Sequence, residues 1–79
     1  MLRKNENRFR QIGLNIKSYR QMKNLTQESL AEVVGISRTH LSNIEAPNVP
    51  TSISLLTLFT IADALDVEPA ELLKCSEPK

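Results

Sequence analysis

Residues 26–45 read T-Q-E-S-L-A-E-V-V-G-I-S-R-T-H-L-S-N-I-E, a pattern of two short helices joined by a tight turn. Thr26 can cap the first free amides of a helix, and Glu28 in the first turn suits the helix dipole. Leu30, Ala31 and Val34 fall on one face before Gly35 stops the helix. Glycine tolerates the positive φ that a sharp turn between helices needs. Ser37 then caps a second helix that runs to about Glu45 and points Leu41 and Ile44 inward. Two short helices crossing at about 90–120° share a small core. Leu30, Val34, Ile36, Leu41 and Ile44 supply it, and Ala31 sits where a large side chain would push the helices apart. The plainer alternative is an ordinary helical hairpin, which would not need all of these residue types at this spacing.

Outward from this pair the pattern stays helical. Upstream, Phe9, Ile12, Ile16 and Tyr19 recur at spacings of three and four, one stripe of a helix from about Asn7 to Lys23. Arg10 and Lys17 share its far face, and Arg20 lies at the stripe's edge. Downstream, Pro47 and Pro50 make 46–51 a loop. Thr51, Ser52 and Ser54 are each able to cap a fourth helix ending near Leu65, with Leu55, Leu58, Ile61, Ala62 and Leu65 inward. A short fifth helix starts at Pro69 and packs through Leu72 and Leu73. No run alternates with period two over a strand's length. The expected organisation is a basic N-terminal arm over 1–8, one all-α domain over 9–74 and a short tail over 75–79, fraying from Ser76.

Composition narrows the function. Seventy-nine residues make one small domain, and 41% hydrophobic with 24% charged residues is ordinary for a globular chain. No apolar run nears the roughly 20 residues that span a bilayer, and no signal peptide opens the chain. The expected compartment is the cytoplasm. Cys75 is the only cysteine, so a disulfide scaffold and a zinc finger are both excluded, and no metal or other cofactor is implied. A net charge of +1 conceals a polarity. Residues 1–24 carry seven basic side chains against Glu6 alone, and 25–79 carry three against eight acidic ones. A basic end on a near-neutral chain suggests an anionic partner, with a merely solvated helix face as the alternative.

Four segments carry a resemblance: I-G-x-x-I-K-x-Y-R at Ile12–Arg20, T-Q-x-x-L-A-x-x-V-G at Thr26–Gly35, S-R-T-x-L-S-x-I-E at Ser37–Glu45 and I-A-D-A-L-D-V at Ile61–Val67. Over about residues 9–74 the chain resembles the phage-repressor and Cro-like helix-turn-helix family, often called Xre-type. The resemblance implies a compact five-helix, lambda-repressor-like DNA-binding domain, in many members a dimer on a palindromic operator. It makes 37–45 the recognition helix, entering the major groove by its N-terminal end. Arg38, Thr39 and Asn43 match the residues that reach base edges. Their chemistry agrees, since Arg pairs bidentately with guanine, Asn with adenine, and a Thr methyl meets thymine. Gln27 matches a phosphate-clamping residue at the start of the second helix. Ser37, His40, Lys23 and the loop at Asn48 are further candidate backbone contacts. Arg20 and Glu45 match an ion pair linking the first and third helices.

The chain departs from the family pattern in places. A small residue and a glycine usually follow Glu45; here Ala46 and Pro47 do. Asn24 stands where glycine is common, and Asn tolerates the left-handed conformation. Leu56 and Phe59 lie off the inward stripe of the fourth helix, where polar residues are usual. With part of the fifth helix they are expected to form a homodimer contact; the competing expectation folds the arm, Met1 with Leu2, over them. The function expected is sequence-specific binding of double-stranded DNA by a homodimeric transcriptional regulator. The main competitor is an antitoxin or adaptor that chiefly holds another protein. An enzyme is disfavoured, because the chain has no nucleophile–base arrangement and no glycine-rich phosphate loop.

Overall fold

The computed structural model describes residues 2–75, and side chains from residue 4 onward. Five helices follow in order: α1 Leu2–Met22, α2 Gln27–Val34, α3 Arg38–Glu45, α4 Leu55–Leu65 and α5 Pro69–Leu73. No strand occurs among the described residues. The all-α, five-helix architecture expected from the sequence is therefore the one observed.

Each boundary has a local cause. Thr26 caps α2 by accepting from the Ser29 amide, and the Ser29 hydroxyl closes a reciprocal capping box. Ser37 caps α3 through the His40 amide, and Ser54, of the three candidates, caps α4 through the Thr57 amide. Gly35 sits at φ 88°, as the turn requires. Asn24 takes the left-handed conformation at φ 59°. There the Leu25 amide bonds back to the Arg20 carbonyl at 3.1 Å and the Asn24 amide to Gln21 at 3.0 Å, a Schellman closure of α1. Asp66 ends α4 in the same conformation, also at φ 59°.

The first helix is longer than its apolar stripe. It begins at Leu2 rather than near Asn7, so the stretch expected as an arm is helical from Leu2. Residues 2–8 contain neither Gly nor Pro, and Arg3, Lys4, Glu6 and Arg8 continue a helix readily once Phe9 and Ile12 anchor it. Met1, the side chain of Leu2 and residues 76–79 lie outside the described residues, and with them the packing of the arm over α4 and most of the tail.

The core joins Ile12 and Ile16 of α1, Leu30 and Ala31 of α2, Leu41 and Ile44 of α3, Leu58, Ile61, Ala62 and Leu65 of α4, and Leu72 of α5. Val34 and Ile36 pack against its margin. α5 is tied to α1 by polar groups as well. Asn15 Nδ2 donates to the carbonyls of Leu72 and Lys74, at 2.9 and 2.7 Å. The Tyr19 hydroxyl donates to Glu71 at 3.0 Å. Lys74, and then Tyr19, hold the Glu71 carboxyl below the usual carboxylate range.

Leu55 departs from expectation. Its spacing places it on the inward stripe, but it is 66% exposed. It is the first residue of α4, directly after the cap, and the burial begins one turn later at Leu58. Leu73, expected to pack α5 down, is likewise half exposed, and Leu72 alone of the pair is buried.

Candidate nucleic-acid interface

The outward side of α3 is built by what its inward side must bury. Leu41, Ile44 and Glu45 are buried. At 100° per residue that leaves Arg38, Thr39, His40 and Asn43 in solvent, and all four are exposed. The three side chains matched to base contacts thus share one free surface. Ser37 uses its hydroxyl oxygen to accept from the His40 amide at 2.9 Å. The amides of Arg38 and Thr39, ahead of that bond, have no intrahelical acceptor and face whatever approaches the helix end.

The start of α2 lies beside the start of α3. Thr26, Gln27, Glu28, Arg20 and Arg38 line a shallow open concavity between them. Gln27 is not simply free to meet a phosphate, because its Nε2 donates to Glu45 Oε1 at 2.9 Å. A side-chain amide nitrogen carries two hydrogens, so the second can still donate outward. Lys23 is exposed in the turn after α1, and its amide is engaged by the carbonyls of Tyr19 and Arg20.

Beneath this surface lies the ion pair. Arg20 Nε donates to Glu45 Oε2 at 2.8 Å and Arg20 Nη2 to Glu45 Oε1 at 3.0 Å, a bidentate pair. The third guanidinium nitrogen donates to the Leu25 carbonyl at 2.7 Å. Both residues are buried, at 8% and 3% exposure. One carboxylate therefore gathers α1, the start of α2 and the end of α3.

The loop after α3 carries Asn48, which is exposed. Thr51 donates its hydroxyl to the carbonyls of Val49 and Asn43, at 2.9 and 3.2 Å. From the other side, Arg10 Nε donates to the Pro47 carbonyl, and Arg10 Nη1 to Asn7 Oδ1 at 2.7 Å. Arg10 was expected on a solvated far face, and here it is half-buried against the loop.

Two positions have roles that the local sequence does not declare. Arg10 looked like one more surface charge, and no local pattern announces a contact 37 residues away. Gly13 appeared in a motif without a reason. A Cβ built there would lie 2.0 Å from the Ile44 carbonyl oxygen, so α1 crosses the backbone of α3 at this residue. The available signal was a glycine inside a helix, which costs roughly 1 kcal/mol relative to alanine and so asks for a close approach.

Comparison with known proteins agrees with this geometry. A family profile described as helix-turn-helix matches residues 16–72. The control protein C.SmaI of Serratia marcescens is 39% identical over 62 residues, covering 78% of this chain and 71% of that protein. The HTH-type transcriptional regulator SinR of Bacillus subtilis is also 39% identical over 62 residues, and there the match spans 78% of this chain but only 55% of the relative. A crystal structure of SinR, the master regulator for biofilm formation, in complex with DNA superposes with a TM-score of 0.74 at 38% identity, covering 80% of this chain and 98% of that one. The restriction-modification controller protein C.AhdI of Aeromonas hydrophila superposes with a TM-score of 0.74 at 33% identity, covering 81% and 94%. With a profile match over most of its length and the turn, caps and core in place, the chain belongs to the Xre-type helix-turn-helix family.

Proposed function

We propose that this chain is a sequence-specific transcriptional regulator that binds double-stranded DNA as a homodimer, with α3 in the major groove. The observation that carries it is the division of α3 into a buried side, Leu41, Ile44 and Glu45, and a solvent side bearing Arg38, Thr39 and Asn43. That solvent side has the donors and the methyl group that read base edges. Gln27, Ser37, His40, Lys23 and Asn48 flank it as backbone contacts, and the unpaired amides at the starts of α2 and α3 suit phosphate oxygens. Its relatives are control proteins and regulators, which supports a binding role rather than an enzymatic one and a place in the cytoplasm. No described helix is long and apolar enough to cross a membrane.

The test is selection of bound duplexes from a random pool, with Arg38→Ala and Asn43→Ala beside wild type. Wild type should enrich a palindrome. Each variant should relax it at one defined base pair and lose about 1–3 kcal/mol there. A dimer neutralising roughly eight phosphates should also give a log–log salt slope near −7. A folded protein that enriches nothing would transfer support to the adaptor reading.

The dimer rests on an exposed apolar face. Leu55, Leu56 and Phe59 are adjacent on α4 and 66%, 77% and 46% exposed. Leu55 makes this face larger than Leu56 and Phe59 alone. A single domain with about three base-reading side chains has little specificity, and two linked half-sites about one helical turn apart roughly double the free energy. In sedimentation equilibrium, wild type should self-associate, and Leu56→Glu with Phe59→Glu should weaken this by about 100-fold. A wild-type monomer at high concentration sinks the dimer while leaving the DNA contacts standing.

A further inference from the structure

We infer that Arg10 is a positioning residue for DNA binding, bracing the loop between α3 and α4 so that Asn48 is held ready for a phosphate. The inference rests on the DNA-binding function proposed above and adds to it a residue outside the segment that the family profile matches, which begins at residue 16.

The loop has few means of its own to hold a shape. Pro47 and Pro50 cannot donate through their backbone nitrogens. The Val49 amide reaches the Ala46 carbonyl only at a long 3.4 Å. Thr51 fixes the distal end through the carbonyls of Asn43 and Val49. The proximal end, at Pro47, is held from α1, where the Arg10 guanidinium donates to the Pro47 carbonyl. Asn7 accepts from the same guanidinium at 2.7 Å and so fixes its orientation from one turn earlier. A planar fork with several fixed donors can serve two acceptors at once, which an ammonium on a flexible stem does poorly.

The placement is a consequence of the helix crossing. Gly13 brings the α1 backbone against Ile44 and Glu45 at the end of α3. Arg10, one turn before Gly13, then lies level with the residues that follow Glu45. The extra helical turns before Ile16 thus reach the loop, and Asn48 sits between the Arg10 brace and the Thr51 brace. A preordered loop avoids the entropy of being ordered on binding, and that saving appears in affinity. Since Arg10 acts through the loop and not on a base, the sequence preference is unaffected.

The test uses the 79-residue chain and the duplex that wild type enriches from a random pool. Arg10→Met should weaken binding by about tenfold, with the same preferred sequence and a nearly unchanged melting temperature. Its salt slope should equal that of wild type, because Asn48 is neutral and no phosphate-neutralising cation is lost. Arg10→Lys should not restore affinity. Combined with Asn48→Ala, the two losses should be less than additive, as for residues in one chain of contacts. Four results would overturn the inference: unchanged affinity, strict additivity with Asn48→Ala, a melting temperature that falls enough to account for the lost binding, or a slope that falls by about one per protomer together with rescue by Lys, which marks a direct phosphate contact. Failure of wild type to bind any duplex would instead refute the DNA-binding function and remove the inference with it.

Discussion

Replacing Gly13 with alanine is expected to lower the melting temperature by about 10–25 °C, although alanine is the better helix former by roughly 1 kcal/mol. The added Cβ would lie 2.0 Å from the Ile44 carbonyl oxygen, 3.0 Å from its carbonyl carbon and 3.3 Å from the Glu45 Cα. All three are backbone atoms of α3, so no side chain can rotate away. α1 must lift off α3, and the Ile12, Ile16, Leu41 and Ile44 packing opens with it. Overpacking typically costs about 1–3 kcal/mol and occasionally more; against rigid backbone at this distance about 3–5 kcal/mol is expected, and the propensity gain of roughly 1 kcal/mol leaves a net of about 2–4 kcal/mol. A domain of this size has only about 4–12 kcal/mol in total. Thermal melting by circular dichroism decides it. An unchanged or raised melting temperature would show that α1 does not cross α3 at Gly13. The remaining folded fraction should also bind DNA more weakly, because the same shift displaces α3, the helix proposed to enter the major groove.

The second large effect is at Glu45. Glu45→Ala should destabilise the domain by about 3–5 kcal/mol, the usual cost of breaking one side of a buried pair. The Arg20 guanidinium would keep only the Leu25 carbonyl as a partner while 8% exposed. Gln27 would lose the acceptor for its Nε2 as well. Replacing both charges, Arg20→Met with Glu45→Met, should cost less than Glu45→Ala alone, because no desolvated charge is then stranded. Denaturant melts of the two variants make the comparison. Equal or greater loss in the double variant would mean that the pair is worth more than its desolvation. DNA binding should fall at least in step with the folded fraction for Glu45→Ala, since Glu45 itself is buried but orients Gln27 at the start of α2.

Much of this was legible in residues near one another in the chain. Thr26, Gly35, Ser37 and Pro69 mark helix ends through bonds or dihedrals spanning three or four residues, and the structure places each at the boundary expected. The turn at Asn24 is of the same kind. Leu30, Leu41, Ile44 and Leu58 declare themselves through helical period, which survives any tertiary arrangement. Arg38, Thr39, His40 and Asn43 follow from the same period, since a side opposite buried residues is exposed by default. The Arg20–Glu45 pair was found only through resemblance to a family, since nothing within either helix points to the other.

Local sequence thus accounts for the set of helices, their caps, the apolar face of each and the solvent side of α3. All of these are set by the 3.6-residue period and by hydrogen bonds that close within one turn. Tertiary structure alone decided where one helix touches another. It decided that Gly13 meets the backbone of α3, that Gln27 shares the Glu45 carboxylate, that Arg10 holds the Pro47 carbonyl, and that Leu55 joins the exposed face of α4. The physical reason is common to these cases. A contact between residues tens of positions apart depends on the crossing of two helices, and the crossing is set by the whole packed core rather than by any segment of chain.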